Sequence, residues 1–253
     1  MTATLITVAG TWSPPDAGFQ ADLARAVTSD WDDIHTEVMG WNGPAFRWVP
    51  VPYPASFGPV SPPYPGAPAY VDSVAEGVRN TIAAINNTPG RFVLSGYSQG
   101  AEVVGRVCIE LANGALQHRR SDCRGCITFG DPARQPEDNA YGGGEGWGIS
   151  RLRIPPWIDR VTYAVPGDMY CTCPDGQVGD QMHAVYYALT HLGTGRIDGH
   201  PALVAEVLRL LRNPITGGIA AVDAIVRALQ VREHSNYGPW VPHAVGKLLE
   251  MAA

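Results

Sequence analysis

Short apolar runs alternate with amphipathic segments along residues 1–170. Helices are expected where apolar side chains recur at the spacing of one helical face. Strands are expected where short apolar runs rich in β-branched residues end in Gly, Pro or Asp. The strands predicted in this way cover about residues 4–9, 46–51, 91–95, 126–130 and 160–165, and the helices cover 17–28, 70–86 and 101–117. This alternation indicates an α/β fold whose central, mostly parallel sheet is covered by helices on both faces.

The pattern changes after residue 170. Amphipathic helices are predicted at 182–192, 201–212 and 218–230, without a strand between them, and a last helix at 244–252. We interpret the chain as a single domain over residues 1–253 that contains a helical insertion at 174–235. Residues 135–159 are polar and rich in glycine, and we expect them to form an irregular excursion. The proline-rich segment 50–69 is expected to be a loop, either lining a cleft or serving as a plain connection.

Charge and length exclude several classes of protein. The 253 residues include 18 Lys and Arg against 24 Asp and Glu, a net charge of −6, and no basic run is present, so nucleic-acid binding is not expected. No apolar stretch approaches the roughly 20 residues that span a bilayer. The first residues lack a basic segment and a cleavage site, so we expect no signal peptide.

The segment 92–101 carries the strongest chemical signal. It combines an apolar strand, the turn Gly96-Tyr97-Ser98-Gln99-Gly100, and the start of a helix. A Gly-x-Ser-x-Gly sequence alone is common in surface turns. With a strand before it and a helix after it, the same sequence predicts a nucleophile elbow, in which Ser98 projects from a strained turn and glycine allows close backbone packing. The helix N-terminus would favour a developing oxyanion.

An activated serine needs a base, and the base needs an acid to orient it. In a hydrolase with this elbow the acid and then the histidine follow the serine along the chain. Asp168 follows a predicted strand and is the preferred acid; Asp131 also ends a strand, but its Gly-Asp-Pro setting favours local backbone hydrogen bonding. His234 and His243 are the late histidines in predicted loops. We prefer His243, which comes directly before the last predicted helix.

Two further features leave alternatives open. Gly10-Thr11 follows the first strand and could supply an oxyanion donor, or it could simply end the strand. Cys123 and Cys126 together with Cys171 and Cys173 have spacings that suggest zinc. In a parallel sheet, however, the two pairs would lie at opposite edges, so free thiols or a local disulfide are expected rather than a metal site. Cys108 is expected in the core.

The chain resembles the lysin B esterases of mycobacteriophages, which are relatives of cutinase-like α/β hydrolases. Ordered motifs carry the resemblance over most of the chain: Gly-Tyr-Ser-Gln-Gly-Ala at 96–101, Phe-Gly-Asp-Pro-Ala-Arg at 129–134, Gly-Asp-Met-Tyr at 167–170, Pro-Ile-Thr-x-Gly-Ile at 214–219 and Trp-x-Pro-His at 240–243. The long interval between the acid and the base favours lysin B over a compact cutinase. One departure is Ala9-Gly10-Thr11-Trp12, where His-Gly-Thr-Gly is expected.

The resemblance implies a fold, a site and a substrate. The fold would be an α/β hydrolase with a helical insertion between the catalytic Asp and His. Ser98, Asp168 and His243 would form the triad, and the backbone N–H groups of Gln99 and Thr11 would form the oxyanion hole. The substrate would be the ester that joins mycolic acid to arabinogalactan, or another lipid ester. No metal or other cofactor is expected.

The same resemblance implies a setting for the protein. It would be made in the host cytoplasm and act as a monomer at the host cell envelope during lysis. Two alternatives stay open: a general cutinase-like or lipase-like esterase, and a non-catalytic envelope-binding protein on the same fold.

Overall fold

A computed structural model describes residues 3–28, 46–58, 64–192, 194 and 232–252. Its strands are β1 (Ala3–Val8), β2 (Phe46–Val51), β3 (Phe92–Tyr97), β4 (Cys123–Phe129), β5 (Asn139–Tyr141) and β6 (Arg160–Tyr163). They form one sheet in the order β2-β1-β3-β4-β6-β5, and every neighbouring pair is parallel. Strand β2 is added on one side of β1, and β3 and the later strands are added on the other side, so the order of strands reverses between β1 and β3. Open parallel sheets bind ligands at such a reversal, beyond the carboxyl ends of the strands.

Helices cover both faces of this sheet. They are α1 (Phe19–Thr28), α2 (Tyr70–Asn86), α3 (Gln99–Asn113), α4 (Gly176–Thr190) and α5 (Val241–Ala252), with short 3-10 helices at Gln117–Asp122, Arg232–Ser235 and Gly238–Trp240. Helices α2 and α3 share one apolar core with Ile6 and Leu94, whereas α1 and α5 share the other with Leu5 and Val93. Alternate residues of β1 and β3 thus point into opposite cores, as the two-residue period of a strand requires. The predicted α/β fold is confirmed.

Several predicted elements need correction, among them the helix predicted at 101–117, which spans Gln99–Asn113. Residues 139–141 form β5, a strand within the segment for which an irregular excursion was predicted, because β6 supplies the partner for this short polar run. Helix α4 begins at Gly176 rather than at about 182. Helix α5 begins at Val241 rather than at 244, and Pro242 is compatible with the first turn, where an N–H would have no helical partner.

The insertion predicted at 174–235 falls largely outside the described residues. Its described parts are α4, at its start, and the 3-10 helix Arg232–Ser235, at its end. The predicted helices 201–212 and 218–230 lie wholly outside, so the extent of the insertion stays a prediction. Within the described ranges, no helix combines the length and the apolar character that crossing a bilayer would require.

Candidate active site

Ser98 occupies a strained position between β3 and α3. Its backbone has φ 55° and ψ −121°, a combination that costs a non-glycine residue free energy. Its N–H donates to the carbonyl of Phe129 in β4 at 3.0 Å, and its own carbonyl accepts from the N–H of Ala101 at 2.9 Å. The sheet and the helix therefore hold the strained turn from both sides, as in a nucleophile elbow.

The two glycines of the turn are required by close backbone contacts. A β-carbon on Gly96 would lie 2.5 Å from the carbonyl oxygen of Gly100. A β-carbon on Gly100 would lie 2.2 Å from the carbonyl oxygen of Val8, in β1. Both distances are far below van der Waals contact, so any larger residue would displace α3 from the sheet. The sequence-based explanation of these glycines is confirmed.

His234, rather than His243, contacts the serine. Its Nε2 lies 2.8 Å from Oγ of Ser98, and its Nδ1 lies 2.9 Å from Oδ2 of Asp168. The side chain is nearly buried, at the end of the 3-10 helix Arg232–Ser235. Three side chains that span 136 positions of the sequence thus form one continuous hydrogen-bonded chain from carboxylate to hydroxyl.

The preference for His243 was wrong. Because α5 begins at Val241, His243 lies in the first turn of that helix and not in a loop that returns over the sheet. Its Nδ1 is 2.9 Å from the hydroxyl of Tyr163, and its ring packs against Tyr141 at 4.5 Å. These contacts hold the imidazole beside β5 and β6, away from the elbow. Chain order could not separate the two histidines, since both follow Asp168.

Asp168 is fully buried and well supplied with donors. Its Oδ1 accepts from the N–H of Tyr170 at 3.1 Å, and its Oδ2 accepts from His234 and from the hydroxyl of Tyr237. Burial by itself would raise the pKa of this carboxyl. The charge of His234 and the hydrogen bonds from His234, Tyr237 and Cys171 outweigh burial, so the pKa of Asp168 is lowered. The carboxylate therefore stays ionised beside the imidazole at neutral pH.

Asp131, the alternative acid, has a structural setting. Its Oδ1 accepts from the N–H of Ala133 at 2.7 Å, which is the local backbone bond expected for a Gly-Asp-Pro turn. Its Oδ2 accepts from Thr128 at 3.0 Å and pairs with Arg160 at 2.8 Å, and all three side chains are buried. The structure brings Asp168, and not Asp131, to the serine and the histidine.

Aromatic rings and a glycine fix the orientation of His234. Its ring stacks on Tyr97 at 5.4 Å and lies 4.5 Å from the ring of Tyr170, while its carbonyl accepts from the hydroxyl of Tyr97 at 2.8 Å. Gly130 has φ 54°, and a β-carbon there would lie 2.9 Å from Cε1 of His234 and 3.1 Å from Oδ2 of Asp168. Sequence reasoning overlooked Gly130, although its place at the end of β4 offered a signal.

The predicted oxyanion donors lie on the expected elements. Gln99 is the first residue of α3, and its buried side chain donates to the carbonyl of Ser56 at 2.9 Å and accepts from the hydroxyl of Ser73 at 3.0 Å. Thr11 lines the same cleft as Ser98. The next N–H, that of Trp12, donates to Ala55 at 2.6 Å and is therefore engaged elsewhere. The roles of Gln99 and Thr11 stay predictions.

A cleft of about 340 Å³ opens above Ser98 and His234. Aromatic rings form much of its wall: Trp12, Phe57, Tyr70, Tyr97 and Tyr170. Phe57 comes from the proline-rich segment, so the described part of that segment lines the cleft and is more than a connection. The arrangement can bind an apolar acyl group with its carbonyl near the serine.

Four of the cysteines lie apart from this chemistry, whereas Sγ of Cys171 lies 3.3 Å from the hydroxyl of Tyr237 and 3.7 Å from the carbonyl oxygen of Asp168. All five are free and buried, and Cys108 and Cys126 approach to 3.9 Å between their sulfur atoms in the core. Cys108 is thus in the core as predicted. Among the described residues, no group of three or more His, Cys, Asp and Glu side chains is arranged to hold a metal ion.

A parallel sheet with a nucleophile elbow, and a serine bonded to a histidine and a buried aspartate, define a serine hydrolase of the α/β hydrolase class. Comparison with known proteins shows which family within this class the chain resembles. The Cutinase family model matches residues 23–192, which include Ser98 and Asp168. Endolysin B of Mycobacterium phage D29 is 30% identical over 94% of this chain and 92% of its own length, and Endolysin B of Mycobacterium phage L5 shows the same identity and coverage.

A solved structure agrees with these matches. The crystal structure of lysin B from Mycobacteriophage D29 has a TM-score of 0.63 and 28% identity, and the match covers 98% of this chain and 99% of that one. The chain belongs to the cutinase family, together with the phage lysin B proteins, and is a carboxylic ester hydrolase.

Proposed function

We propose that the protein is a serine esterase that cleaves the ester between mycolic acids and arabinogalactan at the envelope of the host during phage-induced lysis. The contact between His234 and Ser98, with Asp168 behind the histidine, is the observation that carries the catalytic part of this proposal. The likeness to phage Endolysin B proteins supports the setting in lysis. Ser98 would be the nucleophile, His234 the general base and Asp168 the orienting acid.

The geometry supports acyl transfer in two steps. Nε2 of His234 takes the proton of Ser98 as Oγ attacks the ester carbonyl, and the ionised Asp168 stabilises the imidazolium through Nδ1. The imidazolium then protonates the sugar oxygen, and the alcohol leaves. Water, activated by the same histidine, attacks the acyl-enzyme and releases the fatty acid. The lowered pKa of Asp168 keeps its negative charge through both steps.

The backbone N–H groups of Gln99 and Thr11 would hold the oxyanion of each tetrahedral intermediate. Gln99 begins α3, where N–H groups have no partner within the helix and the helix dipole favours negative charge. One such donor contributes about 3–4 kcal/mol of transition-state stabilisation in other serine hydrolases.

The substrate and the chemistry are tested with one pair of proteins. The wild type should release mycolic acid from purified mycolyl-arabinogalactan and should hydrolyse p-nitrophenyl butyrate, whereas Ser98→Ala should fold normally and lose both activities. Retained activity in Ser98→Ala would exclude Ser98 as the nucleophile.

The same pair separates the alternatives. Turnover of p-nitrophenyl butyrate without release of mycolic acid would favour a general cutinase-like esterase, which would use the same triad and the same aromatic cleft. Failure of a fluorophosphonate to label Ser98 would favour a non-catalytic binding protein.

A further inference from the structure

A second cavity lies beside the catalytic cleft. It has a volume of about 530 Å³ and lies between α2, α3, α4 and the loop 150–153. We call it the α3–α4 groove. Tyr70 lines both this groove and the catalytic cleft, so the two spaces are neighbours that share one wall residue. Glu102 and Arg106 follow Ser98 at four and eight positions on one face of α3, which places them about 6 and 12 Å along the helix axis. The groove therefore extends along α3, away from the nucleophile.

The floor of the groove is a fixed polar network. Oε2 of the buried Glu102 accepts from the hydroxyls of Tyr70 at 3.0 Å and Tyr186 at 2.7 Å, and those two hydroxyls are 2.9 Å apart. Oε1 of Glu102 accepts from two nitrogens of Arg106, at 2.8 and 3.1 Å. Since α4 contributes Tyr186 and α3 contributes Glu102, the network joins the two helices at the base of the groove.

The walls of the α3–α4 groove carry guanidinium groups and aromatic rings, whereas aromatic rings form much of the wall of the catalytic cleft. Arg106, Arg151 and Arg153 line the groove. The charge of Arg106 is balanced by Glu102 and that of Arg151 by Asp180, so two of the three guanidinium groups offer hydrogen-bond donors at little net charge. The ring of His191 stacks on Tyr187 at 4.0 Å and adds a flat surface.

This chemistry suits a neutral carbohydrate better than an anion. Guanidinium forks can donate to neighbouring hydroxyls, and aromatic faces pack against the C–H faces of sugar rings. We propose that the α3–α4 groove binds the carbohydrate half of the ester, a chain of neutral sugar units, while the aromatic cleft receives the acyl half. The proposal rests on the proposed function, because it assigns the two halves of that substrate to two neighbouring spaces.

Arg153 offers a test with a matched control. Arg153 lines the groove, and its exposed guanidinium lies 4.8 Å from the ring centre of Trp147, which lines an adjoining cavity that Arg153 also borders. Arg120 is also exposed and lies 4.8 Å from the ring centre of Trp157, but it does not line the groove. Arg153→Gln and Arg120→Gln therefore remove the same charge and the same kind of ring contact. Tyr187→Ala is a second groove variant, with its folding checked by thermal unfolding.

The measurement is the ratio of kcat/KM for mycolyl-arabinogalactan to kcat/KM for p-nitrophenyl butyrate, which has no sugar. Arg153→Gln and Tyr187→Ala should lower this ratio about fivefold to tenfold, the loss expected for one polar contact. Arg120→Gln should leave it unchanged. An unchanged ratio in both groove variants would overturn the proposal, as would an equal fall in Arg120→Gln.

A binding measurement separates this proposal from the proposed function. In the Ser98→Ala background, arabinogalactan freed of its esters should bind, and Arg153→Gln should raise its Kd about fivefold. If the wild type released no mycolic acid while this binding and its loss were observed, the proposed function would fail and the groove would stand as a carbohydrate site. Absence of binding, or displacement of the sugar by inorganic phosphate at equal concentration, would overturn the groove proposal.

Discussion

The hydroxyl of Tyr237 donates a hydrogen bond to Oδ2 of Asp168, the same oxygen that faces Nδ1 of His234. Tyr237 is fully buried, and its ring meets those of Phe19 and Phe129 edge-on. Burial strongly raises the pKa of the Tyr237 hydroxyl, so it remains protonated and able to donate at neutral pH. We therefore expect Tyr237 to be a positioning residue that acts through Asp168, the proposed acid.

Tyr237→Phe should move the acidic limb of the kcat/KM profile to higher pH. The hydrogen bond from Tyr237 helps to lower the pKa of Asp168, so its loss raises that pKa, and a higher pH is needed to keep the carboxylate ionised beside His234. One hydrogen bond of about 1 kcal/mol corresponds to a shift of about 0.5–1 pH unit. The profile is measured with p-nitrophenyl butyrate.

Tyr163→Phe is the control for this shift. It also removes a buried hydroxyl, but one that contacts His243 rather than the triad. A profile that stays in place for Tyr237→Phe, or that moves equally for Tyr163→Phe, would contradict the positioning role.

Substitution of His234 should abolish most of the activity, whereas substitution of His243 should not. His234→Gln should lower kcat by at least about a thousandfold, because no other described imidazole contacts Ser98, and triad bases contribute this much or more in related chemistry. His243→Gln should keep activity within a few-fold of wild type, since its partners are Tyr163 and Tyr141. Initial rates at saturating p-nitrophenyl butyrate, with matched circular dichroism spectra, decide between them. Greater damage in His243→Gln would reverse the assignment.

Because of Asp138, the free energy of unfolding should fall as the pH rises from about 4 to 6. Burial raises the pKa of this carboxyl to about 6, although Arg160 and the N–H of Gln135 oppose the rise. Between its ordinary value and 6, the unfolded chain releases a proton that the folded chain keeps, so rising pH favours unfolding. Asp138→Asn should remove this loss, on the order of 2 kcal/mol, in urea titrations across this range.

Asp159→Asn is the control, because it removes an exposed carboxylate next to Arg160 in the sequence. A wild-type stability that runs parallel to that of Asp138→Asn between pH 4 and 6 would refute the prediction.

Gly100→Ala should destabilise the fold by about 2–5 kcal/mol, because its β-carbon would meet the carbonyl oxygens of Val8 and Ala9 at 2.2 and 2.4 Å. Gly246→Ala, in α5, is the matched control, since its β-carbon would meet no atom within 4 Å. Helix propensity should make that change neutral or stabilising by up to about 1 kcal/mol. The midpoints of chemical denaturation compare the two, and equal midpoints would contradict the packing argument.

Local patterns were sufficient for much of the sheet and for the positions of Ser98 and Asp168 in the candidate site. Ser98 and Asp168 each follow an apolar strand, so their position at one edge of the sheet follows from the strand pattern and the parallel arrangement. The short strand β5 was missed, because its residues are polar and largely exposed and its pairing depends on β6.

The base could not be placed by the same reasoning. His234 lies in a short 3-10 helix with no periodic pattern, and its position is fixed by the hydroxyl of Tyr97, 137 residues away along the chain. Only contacts between residues this far apart in the sequence distinguish His234 from His243. Helix α5 begins at Val241, which removes His243 from the loop, and Leu248 and Met251 of this helix pack into the core that α5 shares with α1.

Tyr97, Gly130, Asp168 and Tyr170 all contact His234 or shape its place, and all lie at or just beyond the carboxyl ends of β3, β4 and β6. His234, the proposed base, is thus held in place by residues at the ends of the strands, although it follows Asp168, the proposed acid, by 66 positions. Because these contacts come from β3, β4 and the residues that follow β6, His234 is placed beside Ser98 by its neighbours in space rather than by its distance along the chain from Asp168.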